Sequence, residues 1–467
     1  MSLQSGRSEN AIRQNLSPHL MVAWILCAGS SSAIAQSGDA IRCTGGITQS
    51  AIASCTRILE DRHESNESRE IALRNRAYIY QQRGDVDLAI TDYTAALNGG
   101  EQRRDRAKTY LNRGFMYSKK GDIERALADY RDAQKLDPKL VSAFINSASI
   151  FVSQGDTDQA IANLDEATRL DPKNASLYLT RATIYFHRGD QDHAIADYSK
   201  AIENDASNAV AWRDRGMAYT AVGENTRAAA DIAEALRLDP GMADAHVAMG
   251  LNLQKEGNIS PAILEFDRAL ELNPYDATAY KARGDSHLAQ KDQKRAIDDF
   301  TQAIHLDGGM ATAYLDRGAA YIAMANWDGA IADFSKVIQF NPNEYAGYLN
   351  RGQAFGAKLQ PERAIADFTQ AIRIKPESED AYRQRAFFRQ KTGDNLEALN
   401  DYSRALELDP NDAEALRGRG YTRLIRQEVD LAIADLSAAI LMNPNDALAL
   451  GYLKSARAAK RVRKQKN

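Results

Sequence analysis

The chain has 467 residues, too many for one ordinary compact domain. Its residues are 44% hydrophobic and 26% charged, as in soluble globular proteins, and its formal net charge is -4. A charge this close to neutral argues against a basic nucleic-acid binder or a strongly cationic membrane binder. The low proline content, 11 residues, and the alanine-rich segments favour an all-helical chain.

Residues 1–35 have the layout of a secretory signal peptide. Arg7 and Arg13 precede the apolar run LMVAWILCAG, and the small residues Ala33 and Ala35 follow it. An apolar run of this length is too short to anchor the chain across a bilayer. We therefore expect cleavage after Ala35 and export, to a bacterial periplasm or outside the cell. The alternative is an uncleaved cytoplasmic protein.

Two cysteines, Cys43 and Cys55, follow the predicted leader. An even number of cysteines in an exported protein suggests a disulfide. The bridge would close a short loop onto the helix predicted over residues 48–61, and would stabilise this end by about 3 kcal/mol. Two unpaired, buried thiols are the alternative.

Most of the remaining chain repeats every 34 residues. The clearest landmark is a recurring proline, which follows an acidic residue or asparagine everywhere except at Pro376; the prolines are Pro138, Pro172, Pro240, Pro274, Pro342, Pro376, Pro410 and Pro444. The period defines eleven repeats, which begin at residues 70, 107, 141, 175, 209, 243, 277, 311, 345, 379 and 413. Below, the residues of each repeat are numbered as positions 1 to 34.

The spacing within a repeat predicts a helical hairpin. Position 8 is glycine or alanine and position 20 is alanine in every repeat, while position 24 is aromatic or aliphatic. Positions 4, 7, 8 and 11 form one helical stripe, and positions 20, 23, 24 and 27 form another. Glycine at position 15 suits the turn between the two helices, and proline at position 32 ends the second one. One hairpin cannot bury its own apolar face, so neighbouring hairpins must stack.

This pattern resembles the tetratricopeptide repeat (TPR) family over residues 70–446, and resembles exported bacterial members in its leader. The resemblance implies an all-α fold: an α-solenoid, a right-handed superhelix of stacked hairpins with a concave groove for peptides or partner proteins. The pattern departs at position 11, where His287, Arg389 and Arg423 replace the usual aromatic residue. We expect the first helices of those repeats to pack less regularly.

Both ends of the array are predicted to be caps. Residues 36–69 contain a segment that resembles a lone second helix, and residues 447–467 supply a last first helix with a basic tail. The tail, Lys460 to Lys466, would either solvate the helix end or contact an anionic lipid or an acidic partner.

An arginine and an aspartate recur on the two buried stripes. Nine repeats have arginine at position 7, and the same nine have aspartate at position 23. The two exceptions change together: Ser147 occurs with Asn163, and Met249 with Glu265. We predict an ion pair inside each hairpin, which is structural because a catalytic site would not recur nine times. The nine pairs are Arg76–Asp92, Arg113–Asp129, Arg181–Asp197, Arg215–Asp231, Arg283–Asp299, Arg317–Asp333, Arg351–Asp367, Arg385–Asp401 and Arg419–Asp435.

The sequence contains none of the common catalytic or ligand-binding motifs. A glycine-rich phosphate loop, HExxH, CxxC and an EF-hand loop are all missing from it. We therefore expect a protein that is not an enzyme and that uses no cofactor or metal ion.

The remaining candidate site is the groove that the TPR resemblance implies, lined by first helices at positions that include 6 and 9. Position 6 carries asparagines whose amides would bond the backbone of an extended peptide, and position 9 carries aromatic residues. These residues are Asn75, Asn112, Asn146 and Asn350 at position 6, and Tyr78, Phe115, Phe387 and Tyr421 at position 9. The alternative for the asparagines is a solvated polar position.

We therefore expect an exported, non-enzymatic scaffold that binds a peptide or partner protein, without nucleic acid and without an integral membrane segment in the mature chain. The alternatives are a cytoplasmic TPR adaptor and an accessory subunit of an enzyme complex.

Overall fold

The computed structural model of the protein describes residues 38–99 and 103–466, and the predicted leader lies outside these residues. All regular secondary structure in the described ranges is helical. The chain divides into two compact units, residues 1–241 and 242–467, here called the N-terminal and the C-terminal unit.

The N-terminal unit holds two cap helices and five hairpins in its described part. The cap helices are α1 (Gly38–Cys43) and α2 (Gln49–Glu60). The hairpins are α3 (Asn66–Arg83) with α4 (Val86–Leu97), α5 (Arg103–Lys120) with α6 (Ile123–Leu136), α7 (Val141–Gln154) with α8 (Thr157–Leu170), α9 (Ala175–Arg188) with α10 (Gln191–Asn204), and α11 (Ala209–Val222) with α12 (Asn225–Leu238).

The C-terminal unit holds six hairpins and a terminal helix. The hairpins are α13 (Ala243–Lys255) with α14 (Ile259–Leu272), α15 (Ala277–Ala289) with α16 (Gln293–Leu306), α17 (Ala311–Ala323) with α18 (Trp327–Phe340), α19 (Tyr345–Ala357) with α20 (Pro361–Ile374), α21 (Glu379–Thr392) with α22 (Asn395–Leu408), and α23 (Ala413–Ile425) with α24 (Val429–Met442). The terminal helix is α25 (Ala447–Lys466). In each unit the predicted all-α solenoid of stacked hairpins is confirmed.

Local sequence sets where the helices of a hairpin begin and end. Helix α9 ends at Gly189, whose φ of 80° is left-handed and costs glycine little. Helix α10 then begins after Asp190, whose side chain accepts a hydrogen bond from the backbone N–H of His193. The chain leaves α10 at Asp205 and reverses into the next first helix.

The turn residue at position 15 is left-handed in all eleven hairpins. Seven of these residues are glycine, but the other four are Lys291, Ala325, Leu359 and Gln427, with φ between 56° and 62°. All four lie in the C-terminal unit. An L-residue in this conformation costs about 1 kcal/mol, so helix packing imposes the turn even where glycine is missing.

Small residues let the two helices of a hairpin approach closely. Alanine at position 20 has no exposed surface in any of the eleven hairpins. Gly318 at position 8 lies against Phe334 at position 24, and a Cβ added to this glycine would come within 2.7 Å of the Phe334 ring. The core of each unit is therefore a row of aromatic or aliphatic side chains that lie between small residues.

The two ends of the described chain are closed by short-range contacts. Cys43 and Cys55 form a disulfide that joins α2 to α1, a helix that the sequence did not predict. At the other end, Asp446 accepts a hydrogen bond from the N–H of Ala449 and so caps α25. Helix α25 packs against α24 and α23. None of the helices in the described ranges has the length and apolar character needed to cross a membrane.

Candidate functional site

The recurring ion pair is a bidentate contact, shown here for hairpin α17–α18. Arg317 Nε donates to Asp333 Oδ2 and Arg317 Nη2 donates to Asp333 Oδ1, both at 2.8 Å. Asp333 is 4% exposed. The hydrogen bonds to Asp333 raise the pKa of Arg317 above its ordinary value, so the guanidinium stays charged inside the hairpin.

The same contact occurs in all nine hairpins that carry both residues, with N–O distances between 2.6 and 3.0 Å. The nine pairs are Arg76–Asp92, Arg113–Asp129, Arg181–Asp197, Arg215–Asp231, Arg283–Asp299, Arg317–Asp333, Arg351–Asp367, Arg385–Asp401 and Arg419–Asp435. Because the pair recurs in nine equivalent copies, its role is structural, and it does not form a single reacting centre.

The third guanidinium nitrogen, Nη1, contacts the second helix of the preceding hairpin or cap. The sequence did not predict this contact. Nη1 of each arginine donates to a hydroxyl or carboxylate oxygen there, over 2.6 to 3.5 Å. The acceptors are Thr56, Thr94, Asp165, Ser199, Asp267, Thr301, Ser335, Thr369 and Ser403. The arginine therefore joins consecutive hairpins as well as the two helices of its own.

The sequence carries a signal for this third contact. From Thr94 onward, each acceptor stands at position 25 of the repeat before an arginine. Before the two repeats that lack the arginine, position 25 is Arg131 or Ala233, neither of which has a side-chain oxygen. Among the eleven repeats, the residue at position 25 thus changes together with position 7 of the following repeat. The terminal helix α25 does not follow this rule, because Ser437 precedes it although Leu453 occupies its position 7.

The two exceptional hairpins use other polar contacts. In α7–α8, the amide of Gln134 donates to Ser147 Oγ at 3.3 Å and to Asn163 Oδ1 at 3.2 Å. In α13–α14, His246 Nδ1 lies 2.8 Å from Glu265 Oε2. Both hairpins therefore keep a polar connection where the arginine is missing.

Two of the unusual residues at position 11, both arginines, bind the aspartate of their own hairpin. Arg389 Nη1 donates to Asp401 Oδ2 at 2.7 Å, and Arg423 makes the same contact to Asp435 at 2.6 Å. His287 Nε2 lies 3.7 Å from an oxygen of Asp299. Each of the two arginines adds a second nitrogen partner to an aspartate that already holds the arginine of position 7, whereas burial lowers the pKa of His287, which favours the uncharged imidazole.

The N-terminal unit buries most of the residues that we expected to line a groove. Asn112 and Asn146 are each 4% exposed and Phe115 is 8% exposed, because successive first helices cover positions 6 and 9. This corrects the expectation that the amides of Asn112 and Asn146 face a ligand. Asn75 and Tyr78 are partly exposed.

The C-terminal unit leaves the equivalent positions open. Asn350 and Tyr421 are partly exposed, and Phe387 is 41% exposed. The Tyr421 ring stacks on Tyr452 with a centroid distance of 4.2 Å, which fixes the tyrosine on this surface. We name as the 311–425 face the exposed or partly exposed residues at positions 6 and 9 of four first helices: Asp316, Ala319, Asn350, Gln353, Gln384, Phe387, Gly418 and Tyr421.

Three cations beside the 311–425 face hold carboxylates, and a fourth, Lys391, lies with its Nζ 5.4 Å from the centre of the Phe387 ring. Lys281 lies 3.0 Å from Asp316. Arg383 lies 3.1 Å from Asp412, and Arg417 lies 2.6 Å from Asp446. The face therefore offers amide groups and aromatic rings more readily than it offers positive charge. In the part of the chain that the structure describes, no group of three His, Cys, Asp or Glu side chains is arranged to hold a metal ion.

Comparisons with known proteins agree with the hairpin architecture. Tetratricopeptide repeat family models match residues 68–139, 145–209, 194–243, 247–311, 312–344 and 345–378, and a TPR repeat model matches residues 388–424. No curated protein matches the sequence.

The chain is similar to several solved structures. YrrB, described as a TPR protein with an unusual peptide-binding site, is 25% identical, covers 40% of this chain and 97% of its own, and has a TM-score of 0.37. A tetratricopeptide repeat protein from Parabacteroides merdae is 24% identical, with coverages of 53% and 98% and a TM-score of 0.42. The APC/C hetero-tetramer Cut9-Hcn1 is 18% identical, with coverages of 87% and 93% and a TM-score of 0.41.

TPR proteins are generally non-enzymatic scaffolds that bind protein partners. The eleven hairpins, their recurring residues and the family matches along the array all lead to one assignment: the chain belongs to the tetratricopeptide repeat family.

Proposed function

We propose that this protein is a non-enzymatic scaffold that binds an extended segment of a partner protein on the 311–425 face. The exposure of Phe387 carries the proposal. The residue is 41% exposed, whereas Phe115 at the same repeat position is 8% exposed. Unlike an isolated exposed ring, Phe387 shares its repeat position with a second accessible ring, Tyr421 of the following repeat, and aromatic residues are enriched at the centre of protein interfaces.

The chemistry of the face fits an uncharged, extended peptide. The amides of Asn350, Gln353 and Gln384 can both donate to and accept from a peptide backbone. Phe387 and Tyr421 supply rings for an apolar or aromatic side chain of the partner. Since Lys281, Arg383 and Arg417 already hold carboxylates, an acidic peptide would have to compete for these three cations.

Site-specific photo-crosslinking in the native cell tests the proposed face. A benzophenone side chain at Gln353 should capture a discrete partner, whereas the same group at Leu264 should not, because Leu264 is 68% exposed on a second helix away from the face. Phe387→Ala with Tyr421→Ala should remove the product. Tyr275→Ala, at an 80% exposed site outside the face, is the matched control and should leave it unchanged. A product that survives the double substitution would place binding elsewhere.

We also propose that the protein is exported. The leader-like residues 1–35 support this, and so does the disulfide between Cys43 and Cys55, since such bonds persist in oxidising compartments. Mass analysis of the mature chain should show a start after Ala35, and thiol labelling should detect Cys43 and Cys55 only after reduction. A mature chain that starts at Met1 with both thiols free would instead make the protein a cytoplasmic adaptor.

A further inference from the structure

We propose that the outer face of α25 docks on an anionic phospholipid bilayer. The helix, Ala447–Lys466, contains seven Lys or Arg residues and no Asp or Glu, although the whole chain has a net charge of -4. Positive charge is therefore concentrated on one terminal helix. This proposal is independent of peptide binding on the 311–425 face.

Three of the cations form one exposed stripe. Lys454, Arg457 and Arg461 follow one another at helical spacing and are all exposed. Among the described side chains no carboxylate lies within 4.0 Å of them, whereas Lys460 on the neighbouring side holds Asp430 at 2.6 Å. Elsewhere on the surface, exposed arginines such as Arg169 pair with a glutamate on the same helix. The three cations of the stripe are therefore available to an external anion.

The stripe is unsuited to another helix. In the repeats, position 8 of a first helix faces the partner helix of the same hairpin and is always glycine or alanine. Lys454 occupies position 8 in α25. A helix docked in the repeat geometry would bury this ammonium group without a partner, at a large cost in free energy. Docking of a second copy as a further hairpin is therefore disfavoured, while a bilayer surface needs no such close approach.

Exposed aliphatic side chains accompany the cations. Leu450, four residues before Lys454 and therefore on the same face, is 47% exposed, and Val462 (52%) and Leu448 (57%) are exposed further round the helix. At a bilayer surface the aliphatic side chains enter the boundary of the acyl chains while the cations stay among the phosphates. This combination suits an anionic lipid surface, where the phosphates and the acyl-chain boundary accept both kinds of side chain side by side.

Vesicle co-sedimentation with the full chain tests the proposal. The protein should bind vesicles that contain phosphatidylglycerol, should bind pure phosphatidylcholine vesicles much less, and should be released by high salt. The triple substitution Lys454→Glu, Arg457→Glu and Arg461→Glu should weaken binding about 100-fold. The matched control, Arg169→Glu, Arg237→Glu and Arg268→Glu, makes the same change in net charge at three exposed arginines on second helices and should bind as the unmodified chain does.

Hydrogen exchange gives a second measurement that is specific to α25. The unmodified chain, the triple variant and the control variant all keep residues 1–37, so any vesicle binding by the leader is the same in all three. The amides of residues 447–463 should exchange more slowly with the anionic vesicles than without them, and circular dichroism should show that the triple variant keeps its helix content. If anionic vesicles leave the exchange of these amides unchanged, the proposal is wrong. If polyglutamate slows the exchange while vesicles do not, the face binds an acidic protein instead.

Discussion

Asp333 accepts two hydrogen bonds from Arg317, each 2.8 Å long, in the interior of hairpin α17–α18. The aspartate is buried, and the arginine side chain keeps only 14% of its surface in solvent. Because both charges have left water, each depends on the other far more than a surface pair would. The loss of one partner therefore leaves an unpaired charge inside the hairpin, whereas the loss of both partners leaves none.

The first prediction separates these two cases. Asp333→Ala should lower the free energy of unfolding by about 3 kcal/mol, because Arg317 is then left unpaired in the hairpin. Arg317→Ala with Asp333→Ala should cost less than Asp333→Ala alone. Urea unfolding of the single and double variants completes the cycle, and additive losses would contradict a coupled pair.

The contact between hairpins predicts a smaller effect. Thr301→Val removes the acceptor of Arg317 Nη1, which lies 2.9 Å away, and should cost about 1 kcal/mol. Thr312→Val, at an exposed position of α17, is the matched control and should cost almost nothing. Equal effects of the two substitutions in urea unfolding would show that the contact between Arg317 Nη1 and Thr301 does not stabilise the fold.

The left-handed turns predict a stabilising substitution. Ala325 has a φ of 56°, so Ala325→Gly should raise the free energy of unfolding by about 1 kcal/mol. Gly189→Ala, at the same repeat position with a φ of 80°, should lower it by a similar amount. Both changes are to be followed by urea unfolding. A destabilising Ala325→Gly would show that the alanine side chain contributes packing that outweighs its backbone strain.

Two glycines in first helices should respond oppositely to alanine. Gly318→Ala pushes a methyl group to within 2.7 Å of the Phe334 ring and should destabilise the array by about 2 kcal/mol. Gly451→Ala in α25 meets no atom within 4 Å and should stabilise its helix by about 1 kcal/mol through higher helix propensity. The melting temperatures of the two variants should therefore move in opposite directions.

The C-terminal cap should weaken in acid. Burial raises the pKa of Asp446, but hydrogen bonds from the Ala449 N–H and from Arg417 outweigh this, and the pKa lies below its ordinary value. A lowered carboxyl pKa stabilises the fold above the unfolded value of about 3.9, and this stabilisation is lost as the pH falls through the folded value. Asp446→Ala should cost about 1 kcal/mol at pH 7, and the difference from the unmodified chain should shrink below about pH 4. A difference that stays constant with pH would contradict this role.

The helical architecture was predictable because each hairpin obeys local rules. Alanine at position 20, the small residue at position 8 and the turn at position 15 depend only on contacts within one hairpin, which the 34-residue period exposes directly. The short helix α1 was missed because its six residues carry no such period. The role of Arg389 was missed because a charged residue on a buried stripe resembles a packing defect until its acceptor, Asp401, is seen.

The candidate site was less predictable because exposure depends on how successive first helices stack. Asn146 and Asn350 occupy the same repeat position, yet the first is buried and the second is partly exposed. A single repeat contains no information about this difference. Position 9 shows the same limit, since Phe115 is covered and Phe387 is open.

The residue at position 25 has a consequence for changes in the length of the array. A deletion of residues 311–344 would bring Thr301 before Arg351, and the hydroxyl would replace Ser335 as the acceptor. A deletion of residues 141–174 would instead bring Arg131 before Arg181 and set two guanidinium groups against each other. A repeat can therefore be deleted, duplicated or exchanged without a mismatch only where the residue at position 25 can accept a hydrogen bond from the arginine at position 7 of the repeat that then follows it.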